Sequence, residues 1–309
     1  MSVSGGVNDF VVRFANVNGT GSASANTMFA KAIFRMGVPV SAKNIFPSNI
    51  QGLPTWYEVR VNGDGYIGRR EGINLMVSVN PQSIEQDLKN TMSGGYFMYD
   101  STWPLPHDKR REDLNYLEIP LMEMSNKHFS EPRLRQLFKN IIYVGACSAL
   151  LNIDREVIIG LLNDQLKKKK KVVASNVKAL DLGIEYAKEH WNCPLSFHAS
   201  PLDLTKGKIM VDGNTACGLG AVYGGATVMA WYPITPSTSV ADAFEQYCSE
   251  LRVDKETGKH KYAIIQAEDE LAAIGMVIGA NWNGARSFTS TSGPGISLMS
   301  EFIGLAYFA

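Results

Sequence analysis

The chain has 309 residues, with 30 basic and 30 acidic side chains, 45% hydrophobic residues and 19% charged ones. At about 100–200 residues per domain this length suits two domains with ordinary cores, which excludes wholesale disorder. A formal net charge of zero offers no electrostatic case for nucleic acid or an anionic membrane surface.

No run approaches the ~18 uninterrupted apolar residues of a membrane-spanning helix, so no membrane association is expected. The N-terminus, Met1-Ser-Val-Ser-Gly-Gly6, has neither a basic region nor an apolar stretch, and the expected location is cytoplasmic. Cys147, Cys193, Cys217 and Cys248 lie far apart with no Cys-x-x-Cys pair. That spacing fits reduced thiols and supplies no local zinc or iron–sulfur site.

In chain order, Phe10–Ala15 reads as a strand and Asn18–Ser24 as a glycine-bearing loop. A helix is predicted over about Ala25–Met36, stopped by Gly37. Val38-Pro-Val40 reads as a short strand, and Trp56–Val61 alternates as another, ending at the turn signal Asn62-Gly63. Asn74–Val79 reads as a buried strand, Pro81–Asn90 as a helix and Tyr96–Asp100 as one more strand. This alternation argues for a mostly parallel sheet covered by helices.

Helices are predicted over Leu134–Ile142, Glu156–Leu166 and Ala174–His190. Lys167–Lys171 reads as a solvated helix end that complements the helix dipole. Residues 191–206, with Pro194 and Pro201 and little periodicity, read as a linker between domains 1–190 and 207–309.

A second alternation begins near Lys208. Ile209–Val211 is an extended entry, Ala216–Val228 a helix of small residues and Met229–Tyr232 a strand. Ser239–Glu250 is a helix, Tyr262–Gln266 a strand, Glu268–Ala280 a helix and Ser287–Thr291 a strand. Gly295–Phe308 starts a further helix in which the sequence stops, within an apolar run without a cap. About 100 residues make a short α/β domain, so the chain is expected to be the N-terminal portion of a longer polypeptide.

Two places carry candidate chemistry. In the first half, strand, Gly19-Thr-Gly21, helix is the layout that presents backbone N–H groups and a helix N-terminus to a phosphate. Gly19, Thr20, Gly21 and Ser22 are the candidate cradle. A dinucleotide fold would need an acid about 20 residues later for the ribose, and none occurs between Asp9 and Glu58. The same acid-free stretch, carrying Lys31, Arg35 and Lys43, suits a diphosphate such as that of coenzyme A. The bland alternative is a tight strand-to-helix turn. His107, His128, His190, His198 and His260 fall in no metal-ligand spacing.

The second half holds four signatures in a fixed order: Asp212-Gly-Asn-Thr-Ala216, Trp231-Tyr-Pro-Ile-Thr-Pro-Ser237, Glu268-Asp-Glu-Leu-Ala-Ala-Ile-Gly275 with Gly279-Ala280, and Thr289-Ser-Thr-Ser-Gly-Pro-Gly295. Together they resemble the pyrimidine-binding domain of thiamine-diphosphate enzymes, and within that group the α subunit of 2-oxoacid:ferredoxin oxidoreductases. The first half is similar to that family's γ module, fused ahead of α. Pro47-Ser-Asn-Ile-Gln-Gly-Leu-Pro-Thr-Trp-Tyr-Glu58 looks most like the 2-oxoglutarate type. The implied fold is α/β: a γ-type α/β domain followed by an incomplete pyrimidine-binding α/β domain with a mostly parallel sheet.

The resemblance implies oxidative decarboxylation of a 2-oxo acid, most of all 2-oxoglutarate, with coenzyme A. The products would be an acyl-CoA, CO2 and electrons for ferredoxin, and the family can also run in reverse to fix CO2. Thiamine diphosphate must lose its C2 proton, and the family places a buried acid on N1′ of the aminopyrimidine to favour the tautomer that takes it. In the family that acid precedes small residues and, nine positions on, a glycine, which selects Glu270 over Glu268. Without the motifs, Glu268, Asp269 and Glu270 would read as a helix cap.

Thr235 is implied as a hydroxyl near cofactor and substrate. Tyr232, Pro233, Ile234, Thr235, Glu270, Ser292 and Gly293 would line the thiamine diphosphate. A separate β subunit would bring the Mg²⁺–diphosphate domain and a [4Fe-4S] cluster, forming a heterotetramer, and the substrate-carboxylate arginine would lie beyond Ala309. The competing readings are a non-redox thiamine decarboxylase or synthase, and a non-catalytic scaffolding subunit.

Overall fold

A computed structural model describes residues 5–45, 52–166 and 170–308. The chain divides into two compact units, Met1–Ile209 and Met210–Ala309.

Unit 1 runs β1 (Asp9–Val17), α1 (Ser22–Arg35), β2 (Val40–Ile45), β3 (Pro54–Asn62), β4 (Ile73–Ser78), α2 (Ile84–Asn90), β5 (Thr91–Asp100) and β6 (Asn115–Ile119). It continues with α3 (Leu121–His128), α4 (Pro132–Leu150), α5 (Arg155–Gln165) and α6 (Lys170–His190). Its six-stranded sheet has the order β2-β3-β1-β4-β5-β6. The pairs β1–β4, β4–β5 and β5–β6 are parallel, while β3 runs antiparallel to both β1 and β2.

Strand β1 is apolar on both faces because both are covered. Phe14 meets Phe29 of α1 and Tyr143 of α4, with ring centroids 5.3 Å and 5.6 Å away. Val11 and Ala15, at the alternate positions, join Ile73, Met76, Leu88 and Phe97 in a separate cluster. Arg13 is the charged exception, and it forms an ion pair with Glu58, its cross-strand neighbour on β3.

The structure adds or moves several predicted elements. The Val38–Val40 strand begins instead at Val40, after the proline that cannot donate to a ladder. Strand β6 and helix α3 were not predicted. The edge strand is only 5 residues long, and α3 starts directly behind Pro120. Lys170 and Lys171 open α6 rather than ending a helix, and both are exposed; Lys167–Lys169 lie outside the described residues. Residues 191–206, expected as a linker, lie against unit 1. Leu195 and Ala199 donate backbone N–H groups to Leu150 and Leu151, Leu202 donates to Met36, and Phe197 is fully buried.

Unit 2 runs α7 (Gly213–Tyr223), β7 (Val228–Trp231), α8 (Thr238–Leu251), β8 (Ala263–Gln266), α9 (Glu270–Trp282), β9 (Ser287–Phe288), α10 (Gly293–Leu298) and α11 (Ser300–Phe308). Its sheet is all parallel, in the order β8-β7-β9. Residues 209–211 form no strand, and the predicted final helix is broken at Met299. The small residues of α7 serve close packing: a Cβ on Gly218 would come within 2.8 Å of the Phe244 backbone nitrogen on α8. Behind that contact Val222, Met229, Phe244 and Cys248 form the core, with Phe288 edge-on to Phe244 at 5.0 Å.

No helix among the described residues is long and apolar enough to cross a membrane. Helices α4 and α6 meet where each presents a glycine, and a Cβ on Gly145 or Gly183 would overlap a backbone carbonyl of the other helix. Gly183→Ala is therefore expected to lower stability by about 1–3 kcal/mol. Gly160→Ala on α5 meets only ordinary contact and should be neutral or slightly stabilising. Urea unfolding of the two variants checks this ordering.

Candidate functional site

The three loops that leave the C-terminal ends of the unit-2 strands are Tyr232–Ser237 after β7, Ala267–Asp269 after β8 and Thr289–Ser292 after β9. In an open parallel sheet this edge is where ligands gather. The loops are tied together. Ser290 Oγ donates to the Ser237 carbonyl at 3.3 Å, joining the β9 and β7 loops. Asn214, in the first turn of α7, donates to the Pro236 carbonyl at 2.9 Å and to Ser239 Oγ at 2.8 Å.

The loop after β7 is knit by its own hydroxyls. Ser237 Oγ donates to the Ile234 carbonyl at 3.1 Å, and the Ile234 N–H donates to Thr238 Oγ1 at 3.2 Å. Thr235 stands exposed at the tip, Pro233 is exposed, and Tyr232 and Ile234 are half-buried. Asp212 caps α7 by accepting from the Thr215 N–H and hydroxyl at 2.9 Å and 2.6 Å. Burial pushes the Asp212 carboxyl up, but these hydrogen bonds outweigh it and hold it below the usual carboxylate range.

The three acids at the start of α9 divide their roles. Asp269 is the cap, and its carboxylate accepts from the Ala272 N–H at 2.6 Å. Glu268 is exposed. Glu270 is the first helical residue, half-buried, and its carboxyl has no hydrogen-bond partner among the described residues. The capping alternative therefore accounts for Asp269 and leaves Glu270 free.

Gly295 brings the loop after β9 against that glutamate. A Cβ there would overlap Thr291 Oγ1 and stand 3.0 Å from Glu270 Cγ. Glu270 and the Ser292–Gly295 turn thus share one corner, with Ser292 half-buried and Gly293 exposed. The hydroxyl oxygens of Thr289 and Thr291 in this loop are buried without a hydrogen-bond partner among the described residues. These two threonines were not singled out from the sequence, although the Thr-Ser-Thr-Ser alternation of an extended segment was the available signal.

A free carboxyl, unpartnered buried hydroxyls and a glycine that keeps side-chain volume out of the corner fit the pyrimidine half of thiamine diphosphate, a flat ring with several hydrogen-bonding atoms. Arg286 lies at the other end of β9, where it donates to the Gly224 carbonyl. Among the described residues no group of three or more His, Cys, Asp or Glu could hold a metal ion.

In unit 1, Gly19, Gly21 and Ser22 line a cleft of about 240 Å³ with Asn16, Asn18 and Asn44. Gly21 caps α1 at φ 75°, in the left-handed region that favours glycine. Thr20 is not in the lining, and its hydroxyl donates to the Val17 carbonyl at 2.7 Å within the turn. The wall is stiffened by Asn26, which donates to Asn16 at 2.9 Å and accepts from the Tyr143 hydroxyl at 2.8 Å.

None of Lys31, Arg35 and Lys43 lines the cleft, and Arg35 pairs with Asp164 at the far end of α1. Among the described residues a phosphate there would meet backbone N–H groups and neutral side-chain donors rather than these cations. Gly52 and Leu53 hydrogen-bond to Asn18, so the segment read as the 2-oxoglutarate mark adjoins the loop; its Pro47–Gln51 part lies outside the described residues.

A family model for pyruvate ferredoxin/flavodoxin oxidoreductase matches residues 11–186, more than half the chain. A second, for the thiamine-diphosphate-binding part of pyruvate flavodoxin/ferredoxin oxidoreductase, matches residues 219–309. The chain belongs to the pyruvate ferredoxin/flavodoxin oxidoreductase family.

Among its relatives, 2-oxoacid:ferredoxin oxidoreductase 2, subunit alpha, of Aeropyrum pernix is 29% identical over 334 residues, covering 93% of this chain and 51% of that protein. The 2-oxoglutarate synthase subunit KorA of Methanothermobacter thermautotrophicus is 46% identical over 96 residues, 31% of this chain and 23% of that protein. The solved 2-oxoglutarate:ferredoxin oxidoreductase from Magnetococcus marinus, with 2-oxoglutarate, coenzyme A and succinyl-CoA bound, matches with a TM-score of 0.80 at 31% identity. That match covers 95% of this chain and 49% of that one. The resemblance read from the motifs holds in both halves, and the chain spans about half the length of the curated relatives it matches.

The Gly295 contact makes its own prediction. Gly295→Ala must displace Thr291 or Glu270 and is expected to cost about 1–3 kcal/mol of unit-2 stability. Denaturant unfolding indistinguishable from the parent chain would contradict the close approach.

Proposed function

We propose that this chain supplies the pyrimidine-facing part of a thiamine-diphosphate site in a CoA-acylating 2-oxoacid:ferredoxin oxidoreductase, with 2-oxoglutarate as the substrate. The observation that carries the reading is the Glu270 carboxyl, unpartnered among the described residues, at the start of α9 beside Gly295 and Thr291 of the loop after β9. The alpha-subunit relatives support the reaction class, and the KorA relatives and the Magnetococcus marinus enzyme support the choice of 2-oxo acid.

Thiamine diphosphate, when bound, supplies a carbon nucleophile for the keto group and a sink for the electrons left by decarboxylation. The chain's own share is to set the ring's protonation. Glu270 holds a proton between its carboxyl and the ring nitrogen, and an acid in that place acts as a fixed general acid–base group. Thr235, at the tip of a turn braced by Ser237, Thr238 and Asn214, offers its hydroxyl to the cofactor and the substrate carboxylate. Tyr232, Pro233, Ile234, Ser292 and Gly293 would line the bound cofactor.

The Gly19–Ser22 cleft takes the phosphates of coenzyme A through backbone N–H groups. Mg²⁺, the diphosphate-binding domain and the [4Fe-4S] cluster belong to a β subunit, with ferredoxin as the electron acceptor. The assembly is a cytoplasmic heterotetramer whose reaction can run toward CO2 fixation.

Removing the carboxyl while keeping its shape tests the reading. Glu270→Gln, in the assembled enzyme, is expected to lower turnover with 2-oxoglutarate, coenzyme A and ferredoxin by about 100-fold or more. Near-normal turnover would reduce the chain to a scaffold.

A further inference from the structure

Two buried hydroxyl oxygens at the C-terminal edge of the unit-2 sheet, Thr289 Oγ1 and Thr291 Oγ1, have no hydrogen-bond partner among the described residues. A buried hydroxyl has lost its water, so leaving it unpaired is unfavourable, and such a group in a folded protein calls for a physical reason. Thr291 stands beside one. The Cβ that Gly295 lacks would overlap Thr291 Oγ1 and stand 3.0 Å from Glu270 Cγ, so the hydroxyl and the glutamate methylene crowd the same side of the same residue.

Glu270 is held from two directions. The Asp269 cap fixes its backbone at the start of α9, and the Gly295 contact restrains its side chain at Cγ. The two torsions beyond that point remain free, the last of which turns the carboxyl plane and has a broad minimum in glutamate. A hydroxyl on the same side of Gly295 can fix them through a hydrogen bond.

We propose that Thr291 is a positioning residue whose hydroxyl, unpartnered in this structure, donates to the Glu270 carboxyl once the ring is bound and holds it turned toward the ring nitrogen. The inference rests on the reading of Glu270 as the acid that faces thiamine diphosphate. One carboxyl oxygen takes the threonine hydrogen bond, and the other is left for the proton shared with the ring. Thr289 lies two residues earlier in the same loop. No contact ties Thr289 to Glu270, so the role falls to Thr291. It depends on the hydroxyl and not on the methyl group, so serine can perform it and valine, of nearly the same shape, cannot.

The test uses the assembled enzyme loaded with thiamine diphosphate. It measures how fast the cofactor's C2 proton exchanges with deuterium from solvent, together with cofactor affinity and unfolding stability. Thr291→Val is expected to slow exchange by about tenfold or more, while Thr291→Ser stays within about threefold of the parent enzyme. Without cofactor, the stability of Thr291→Val should be unchanged or higher, because there the buried hydroxyl is unpaired. Exchange in Thr291→Val at the parent rate overturns the proposal, and so does equal slowing in Thr291→Ser, which would mean that packing is responsible.

Glu270→Gln in the same assay separates the two levels. Parent-like exchange in Glu270→Gln sinks the reading of Glu270 itself. Slow exchange there beside fast exchange in Thr291→Val sinks only the positioning role. The double variant should be no slower than Glu270→Gln alone, since the two side chains act as one unit.

Discussion

The architecture of unit 2 turns on the absence of one methyl group. Gly295 allows the loop after β9 to close on the first turn of α9, so that Glu270 Cγ stands 3.0 Å from the place a Cβ would occupy. Any larger residue would force the loop and the helix apart. The three parallel strands end at the same edge, and Glu270 opens the helix that follows the loop after β8. Asp269 takes the capping duty, so the neighbouring carboxyl has no hydrogen-bond partner among the described residues. An acid whose only structural part is to favour the helix dipole is available for chemistry.

Unit 1 solves a different problem. Its cleft at the end of β1 is built from asparagines and backbone rather than from cations, and a buried Asn16–Asn26–Tyr143 chain stiffens its wall. Such a surface recognises hydrogen-bonding shape and depends little on net charge, in keeping with a chain whose formal charge is zero. The Arg13–Glu58 pair on the same sheet is a structural one, two opposite charges facing each other across neighbouring strands.

The sequence made the strand–helix alternation legible because buried parallel strands are continuous apolar runs, and β1, β4, β7 and their helices follow that rule. The candidate site was legible where its residues are special for their turn: Pro233 and Pro236 around Thr235, and the glycines that follow Ser292. What periodicity could not reveal was packing by irregular backbone. Residues 191–206 look like a linker by composition, yet Leu195, Phe197 and Ala199 are buried and the backbone donates to α4 and the residue after it. The basic residues Lys31, Arg35 and Lys43 lie close in sequence to the glycine loop but none lines its cleft, and α1 carries Arg35 away to Asp164. Thr291 was invisible as a separate feature because an unpaired hydroxyl is a property of the fold alone.

The proposed chemistry depends on a single contact that Glu270 would make with the pyrimidine ring. A structure of the assembled enzyme with thiamine diphosphate bound measures it directly. The Glu270 carboxyl should lie at hydrogen-bonding distance from the pyrimidine nitrogen, about 2.6–3.0 Å, with Gly295 beneath it. A well-ordered ring held by some other acid, with Glu270 directed into solvent, would contradict the assignment.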